Sequence, residues 1–122
     1  MNMELGALVG TWINSNPDTR SVAVVKATDL HGKLELRVSA IGADGLIDWG
    51  AAEAQVFAAT PESRVGAGFT CRYVFDHGET RFQAMIMKGL LVLAQFHLFN
   101  DERESYFLRE YFAATHDRFL KG

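Results

Sequence analysis

Hydrophobic and polar residues alternate along most of this chain, most clearly in two neighbouring runs, residues 20–29 and 33–41. A two-residue turn at His31-Gly32 lets these runs fold back on each other. Apolar residues then share one face of the pair and charged residues share the other, which predicts an antiparallel hairpin with one buried face. The register gives three opposite pairs: Asp29 and Leu34, Ala27 and Leu36, Val25 and Val38.

A longer stretch, residues 81–112, carries three apolar runs. Lys88-Gly89 joins the first two, and this connection places glycine where a tight hairpin needs a positive φ. The charged loop 101–104 joins the second run to the third. With a further turn at 77–78, the predicted opposite pairs are Ile86 and Leu91, Ala84 and Leu93, Phe82 and Gln95, Tyr73 and Phe82, Cys71 and Ala84, Gln95 and Glu110, His97 and Leu108.

Shorter segments complete the pattern. The lead-in, residues 1–9, is expected to form one helical turn or a loose segment, and residues 115–122 are expected to form a C-terminal tail. Residues 42–50 contain three glycines, so we expect a long loop there. Further strands are predicted at residues 10–14, 54–59, 69–75 and 80–87.

Eight strands result, nearly all joined by short connections, and no segment has the periodicity of a long helix. An antiparallel meander of this kind closes most easily as a barrel, because closure leaves no exposed strand edge. We therefore predict an all-β fold, an eight-stranded antiparallel up-and-down β-barrel, as a single domain over residues 1–122. A barrel of eight strands holds side chains or one small ligand.

The pairing also assigns each side chain to the inside or the outside of the barrel. The inward set is mostly apolar, and its polar members are Tyr73, Gln95, His97 and Glu110. A buried carboxylate or imidazole costs several kcal/mol unless it is paired or reached by water or ligand. Either these side chains satisfy one another inside a filled barrel, or they form a polar patch on the wall of a ligand cavity.

The outward set contains an apolar patch on the last three strands. A patch of this size is unfavourable in water. Homodimerisation through these strands is the simplest explanation. The patch consists of Met85, Val92, Phe96, Leu98 and Tyr111.

Composition narrows the range of partners. The 122 residues carry a formal net charge of −3 without a basic stripe, so we expect no nucleic-acid binding and no membrane binding. No run approaches the roughly 20 apolar residues that span a bilayer, and no signal peptide is expected. Cys71 is the single cysteine. It suits a reducing cytoplasm, where we expect the protein, and is interpreted as a small buried residue.

The first strand carries Gly10-Thr11-Trp12, and Arg109 lies on the last strand. With the predicted meander between them, these residues resemble the calycins, the superfamily of lipocalins, fatty-acid-binding proteins and avidins. In lipocalins a G-x-W tryptophan packs under a basic residue from the end of the barrel. The resemblance gives these roles to Trp12 and Arg109, whereas the pairing argument turns Arg109 outward.

The first strand is also similar to the avidin opening, G-x-W-x-N. The resemblance implies that Asn14 and Glu110 contact a ligand, as an asparagine and a last-strand acidic residue contact biotin in avidins. Asn16-Pro17-Asp18 stands where avidins carry a serine, and the chain has only two tryptophans. We therefore carry over the fold and the approximate pocket, but not biotin.

No other motif points to a reaction. The four histidines, His31, His77, His97 and His116, have no metal-ligand spacing, so we expect no metal and no cofactor. No phosphate loop or G-x-S-x-G motif is present. Trp49, flanked by glycines, is interpreted as a lid over the barrel mouth or as an aromatic plug under a loop.

The predicted function is binding of a small, largely apolar or mixed-polarity ligand in the barrel lumen. One alternative is an enzyme that uses His97 and Glu110 for acid–base chemistry, such as a cyclisation or an isomerisation. Another is a filled barrel that serves as a dimeric interaction module. The predicted ligand contacts are Trp12, Asn14, Trp49, Tyr73, Phe82, Gln95, His97 and Glu110.

Overall fold

Eight antiparallel strands close into a barrel in the computed structural model, which describes residues 3–115. Each strand pairs with its neighbours in the chain, and β1 closes the barrel by pairing with β8. The predicted all-β, up-and-down architecture is confirmed. Most of the predicted tail, residues 116–122, lies outside the described residues. The strands are β1 (Gly10–Asn14), β2 (Val22–Leu30), β3 (Lys33–Gly42), β4 (Gly45–Ala58), β5 (Gly66–Phe75), β6 (Gly78–Met87), β7 (Leu90–Phe99) and β8 (Tyr106–Ala114).

Two hairpins have the predicted register. β2 and β3 pair around His31-Gly32, whose φ angles are 55° and 88°. β6 and β7 pair around Lys88-Gly89, whose φ angles are 53° and 80°. Positive φ at both central residues matches the turn to the right-handed twist of the strands it joins. The glycine in each turn adopts this conformation without steric cost.

The register between β5 and β6 is two residues away from the prediction. Their turn is Asp76-His77, so Tyr73 lies opposite Thr80. Gly78 belongs to the strand itself, where it also pairs with β7. A side chain at this position would collide with the backbone of Leu98, so glycine permits the close approach of the two strands.

The register between β7 and β8 is also shifted by two residues. The loop covers residues 100–105 instead of 101–104, so Gln95 lies opposite Leu108 and not opposite Glu110. The Ser105 hydroxyl closes this longer loop by accepting a hydrogen bond from the last N–H of β7 (3.1 Å). Because side-chain direction repeats every two residues, both shifts leave every side chain on its predicted face.

The predicted loop 42–50 is wrong. β4 begins at Gly45 and runs as one strand of 14 residues to Ala58, so the predicted strand 54–59 is only its last part. Gly42 pairs with Gly45 across a tight turn. Two of the three glycines that indicated a loop therefore belong to a hairpin end.

A β-bulge at Trp49-Gly50 turns the tryptophan toward the inside of the barrel. The register with β3 shifts here, leaving one extra residue on β4. Gly50 has a φ of 85°, and its N–H donates to Asp48 Oδ1 (2.7 Å). Strict alternation from the buried Ala54 would leave Trp49 facing outward. Trp49 is thus a strand residue, and the predicted lid loop is wrong.

Within the lead-in, residues 3–9 pack as a single turn across one end of the barrel, which we call the closed end. Leu5 and Leu8 are buried there, and the N–H of Leu8 donates to Leu5 O (2.9 Å). Trp12 Nε1 in turn donates to Leu8 O (2.9 Å). Arg109 is exposed on the outer face of β8, so the lipocalin-like packing of Trp12 under Arg109 is wrong.

Side chains fill the lumen above the closed end. Every inward position predicted on β5–β8, from Phe69 to Phe112, is buried or half-buried. A cavity lies at the other end, where β1 ends and β2 begins, and we call this the open end. Among residues 3–115, no helix is long and apolar enough to cross a membrane.

Candidate functional site

A cavity of about 500 Å³ lies at the open end of the barrel. Cavities of this size hold small organic ligands. Thr80 and His97 form part of its floor, and the apolar side chains beneath them fill the lumen. Six of its fifteen lining residues carry rings: Trp49, Phe75, His77, His97, Phe99 and Tyr106.

Trp49 anchors an aromatic cluster on one side of the cavity. Its ring lies edge-on to Phe75 and Tyr73, with centroid distances of 5.0 and 5.5 Å, and stacks on Phe82 at 6.1 Å. The Tyr73 hydroxyl donates to the carbonyl of Gly50 (2.9 Å). Burial raises the pKa of Tyr73, so this hydroxyl stays protonated as a donor. The bulge and the cluster therefore hold each other in place.

A second run of rings continues around the rim from β5 to β8. His77 lies between Phe75, at 5.3 Å, and Phe99, at 5.8 Å. Tyr106 stacks on His97 with a centroid distance of 4.5 Å. The wall is thus a nearly continuous set of aromatic faces and edges, contributed by strands that lie far apart in the sequence.

The polar side chains beneath this wall form one hydrogen-bonded network. Gln95 Oε1 accepts a hydrogen bond from Ser21 Oγ (2.9 Å) and lies 3.0 Å from His97 Nε2. His97 Nδ1 lies 3.0 Å from Thr80 Oγ1. Gln95 Nε2 donates to Glu110 Oε1 (3.2 Å). Across the part of the chain that the structure describes, no buried side-chain nitrogen or oxygen lacks a hydrogen-bond partner.

The surroundings of His97 keep its ring neutral. Burial lowers the pKa of His97, and the nearby carboxylate of Glu110 only partly opposes this shift. Thr80 and Gln95 occupy the two ring nitrogens. The imidazole therefore acts as a fixed hydrogen-bonding group in the floor rather than as a cation.

Two of the three charged side chains that line the cavity already have ion-pair partners. Asp48 pairs with Arg37 (3.4 Å), and Glu79 bridges two arginines of β5 and β6 (2.8 and 3.0 Å). The hydrogen bond from the β6 arginine holds the pKa of Glu79 below its usual range. Within residues 3–115, the third, Arg20, has no ion-pair partner.

Two of the eight predicted ligand contacts line the cavity, and four more lie behind its lining. Trp49 and His97 line it directly. Of the four behind them, three contact one of these two side chains directly, and the fourth, Glu110, reaches His97 only through Gln95. The four are Tyr73, Phe82, Gln95 and Glu110.

The last two predicted contacts lie elsewhere. Trp12 is buried beside the closed end. Asn14 is buried nearer the open end, but its amide is occupied: Nδ2 donates to Val22 O (2.9 Å), and Oδ1 accepts from Asn16 N (2.8 Å). These bonds hold the β1–β2 loop, and a ligand contact for either residue stays a prediction.

Sequence reasoning missed several residues of the site. Phe75 and Phe99 continue the inward alternation of their strands, so the period-two pattern contained a signal for both. Thr80 also continues the inward alternation of its strand, two residues before Phe82. Tyr106 has the same signal, because it shares the alternation of Leu108 and Glu110 on β8. Ser21 lies in the predicted run 20–29 with the alternation of Val25 and Ala27, but in the structure it precedes β2 in an irregular segment.

A larger depression of about 640 Å³ lies on the outer wall, where β4 and β5 separate. Their ladder ends at Gln55 opposite Thr70, and Cys71 Sγ beyond it donates to Glu53 O (3.6 Å). Burial raises the pKa of the Cys71 thiol, which makes it unreactive. The ring of Phe82 closes the bottom of the depression. The open-end cavity is the better candidate, because five of the ten residues that line the outer groove are exposed, against six of fifteen at the open end.

No metal site is apparent in residues 3–115, since no three His, Cys, Asp or Glu side chains there are grouped to hold an ion. His116 lies outside this range. Comparisons of the chain with protein-family models, with curated proteins and with solved structures found no match. Function is therefore inferred from the geometry of the open end.

Proposed function

We propose that this protein binds a small, largely apolar ligand in the cavity at the open end of its barrel. The observation that carries the proposal is a wall of aromatic rings around about 500 Å³ of space above a hydrogen-bonded polar floor. Apolar walls with a few fixed polar groups are typical of small-molecule sites. The ligand sits near the rim rather than deep in the lumen, because core side chains fill the lumen.

The wall is large enough to bind a ring-sized ligand with measurable affinity. A buried aromatic group removes roughly 200 Å² of apolar surface from water, which is worth about 5 kcal/mol. That free energy corresponds to a dissociation constant of about 0.2 mM before any polar contact is added. Probes with two aromatic groups are therefore expected to bind in the micromolar range.

The contacts of His97 and Glu110 support binding rather than acid–base catalysis. Both nitrogens of His97 lie within hydrogen-bond distance of neighbouring side chains. The carboxylate of Glu110 reaches Gln95, which separates it from His97. A general base must reach the proton it removes, and His97 cannot do so without breaking the network.

Native mass spectrometry of freshly purified protein tests for a bound small molecule. The site is tested with N-phenyl-1-naphthylamine, an apolar probe whose fluorescence rises on binding. Ile47 lines the cavity and is 52% exposed, whereas its neighbour Leu46 is 59% exposed and points away. We expect Ile47→Trp to weaken probe binding about tenfold or more and Leu46→Trp to leave it unchanged. Equal affinities in the two variants would place the probe elsewhere and contradict the proposal.

We also propose that the barrel is calycin-like. Its eight strands are neighbours in sequence order, as in an up-and-down barrel. Trp12, the tryptophan of the calycin-like opening, packs on the first strand near the closed end. These two features support the resemblance, and binding at the open end of the barrel is consistent with it.

A second copy of the chain is the partner we propose for the outer patch of Met85, Val92, Phe96, Leu98 and Tyr111. Met85, Val92 and Tyr111 form one cross-strand row. Phe96 contacts Phe107, which extends the patch at a centroid distance of 4.9 Å and is 56% exposed. Ala94 joins these two rows, in a row that it shares with Gln83 and Arg109. Exposed apolar surface of this kind marks interaction sites.

Sedimentation equilibrium at micromolar concentration tests the dimer. We expect Phe107→Lys to give a monomer, because a charge would be buried in the interface. Val74→Lys is the control, since Val74 is 66% exposed on β5 outside the patch. A monomeric unmodified protein under these conditions would contradict the proposal.

A further inference from the structure

The hydrogen bonds in the floor of the cavity run in one direction, and Glu110 sets that direction. A carboxylate oxygen accepts hydrogen bonds but does not donate them. The amide nitrogen of Gln95 is therefore the group that faces Glu110 Oε1, at 3.2 Å. The amide oxygen of Gln95 consequently points the other way, toward Ser21 and His97.

This amide oxygen selects the tautomer of His97. Gln95 Oε1 lies 3.0 Å from His97 Nε2, and two acceptors would repel at that distance, so Nε2 carries the proton. Burial lowers the pKa of His97, which leaves the other nitrogen, Nδ1, unprotonated near neutral pH. Nδ1 is then an acceptor, and the Thr80 hydroxyl donates to it across 3.0 Å.

The two floor hydroxyls, those of Ser21 and Thr80, thus use their proton inside the floor, whereas the third hydroxyl of the cavity, that of Tyr106, belongs to its wall. Ser21 donates to Gln95 Oε1 at 2.9 Å, and Thr80 donates to His97 Nδ1. A hydroxyl has one proton and two lone pairs. Ser21 Oγ also lies 3.3 Å from His97 Nε2, whose proton can take one of its lone pairs. The remaining lone pair of Ser21 and those of Thr80 are therefore what these two hydroxyls can offer to a ligand in the cavity.

We propose that the open end selects ligands that donate a hydrogen bond from nitrogen to Ser21 Oγ or Thr80 Oγ1, and that small aromatic amines are the class it binds. This inference rests on the proposed function, because it specifies the ligand of the same cavity. An ether or carboxylate oxygen in the same position would face lone pairs and lose its hydrogen bonds to water without replacement.

The aromatic wall favours the protonated form of such an amine. A cation within about 6 Å of a ring centre is attracted to the face of the ring. The rim already holds one cation in this way: the guanidinium carbon of Arg103 lies 4.4 Å from the centre of the Phe99 ring. Arg20, also at the rim, favours an anion instead. Preference for an anionic ligand is therefore the competing outcome of the test.

The first experiment measures the tautomer of His97 in the ligand-free protein by ¹⁵N NMR, because imidazole ¹⁵N shifts distinguish a protonated nitrogen from a bare one. We expect a proton on Nε2 and none on Nδ1. Glu110 is a positioning residue, so Glu110→Gln, whose amide can donate or accept, should give a mixture of tautomers. Glu102→Gln, in the exposed β7–β8 loop, removes the same charge and should change nothing. A proton on Nδ1 of the unmodified protein would overturn the inference.

The second experiment compares three ligands that share a naphthalene ring: 1-naphthylmethylamine, methyl 1-naphthylmethyl ether and 1-naphthylacetate. Their dissociation constants are measured by isothermal titration calorimetry. We expect the amine to bind about tenfold tighter than the ether, as one charge-assisted hydrogen bond would give. Glu110→Gln should reduce this ratio, and Glu102→Gln should leave it unchanged.

The outcomes separate this inference from the proposed function. Equal affinities for the three ligands would leave the binding cavity standing and overturn the selection of donors. Tighter binding of the acetate would also overturn the selection of donors, and would indicate that Arg20 binds the carboxylate of the ligand. Binding of none of the three would remove the proposed function and the inference together.

Discussion

Replacing Gly50 with alanine tests whether the bulge of β4 aims Trp49 into the cavity. Gly50 has a φ of 85°, and Gly89, in the β6–β7 turn at the closed end, has a φ of 80°. A Cβ atom at either position would meet no atom within 4 Å. The two alanines therefore impose the same kind of backbone strain without a collision, which makes Gly89→Ala a matched control.

The expected costs follow from the backbone and from one hydrogen bond. A left-handed conformation costs a residue with a Cβ about 1–2 kcal/mol, and alanine recovers about half of that by restricting the unfolded chain. We expect Gly89→Ala to lose about 1 kcal/mol, or about 4 °C in Tm. Gly50→Ala is also expected to weaken the hydrogen bond from Tyr73 to the Gly50 carbonyl, because it shifts the backbone of the bulge. Its expected cost is about 2 kcal/mol.

Urea unfolding gives the two stabilities, and binding of N-phenyl-1-naphthylamine tests the site. We expect Gly50→Ala to weaken probe binding about tenfold, because the loss of one aromatic wall contact and its buried area is worth about 1.4 kcal/mol. Gly89→Ala should bind as the unmodified protein does. In a Trp12→Phe background, the emission of Trp49 should shift to the red when the bulge is lost. Unchanged emission and equal affinity in the two variants would refute the role of the bulge.

Other side chains give predictions of their own. Burial lowers the pKa of His97 from 6.5, so the unfolded chain binds more protons below that pH. The free energy of unfolding should therefore fall as the pH drops from 7 to 5, by at most about 1.4 kcal/mol per pH unit. In urea titrations, His97→Gln should reduce this dependence on pH. Asn14→Ala removes two amide hydrogen bonds and should lower the free energy of unfolding by about 2 kcal/mol, measured by urea unfolding. The affinity for the probe should stay unchanged, and a tenfold loss of affinity would make Asn14 a ligand contact. Trp12→Phe removes the bond to Leu8 O and should cost about 1 kcal/mol; no measurable cost would show that the lead-in packs without this bond.

The faces of the strands were more predictable than their registers. The β5–β6 turn and the β7–β8 loop both differ from the predictions, yet each error was two residues, which preserves the direction of every side chain. Burial of one face therefore strongly determines which side chains point inward, but only weakly determines which residues lie opposite each other. The exact partners depend on contacts that no local pattern contains, such as the approach of Gly78 to the backbone of Leu98.

Trp49 is a residue for which the alternation of side chains predicts the wrong direction. Counting along β4 from Ala54 places the indole outside, and one extra residue reverses its direction. The signal in the sequence was Gly50, but a glycine is equally compatible with a loop, which is how residues 42–50 were interpreted. A bulge becomes distinguishable from a loop only when both neighbouring strands are in place, because its hydrogen bonds and its ring contacts come from β3, β5 and β6.

The two interpretations of the inward polar residues turn out to be compatible. Gln95, His97 and Glu110 do satisfy one another, as a filled barrel requires, but the network also includes Ser21 and Thr80, which line the cavity. A network whose members are all paired costs little to bury, and it cannot rearrange cheaply when a ligand arrives. A satisfied floor is therefore better suited to selecting a ligand than an unsatisfied one, because any group placed on it must match lone pairs whose direction is already fixed.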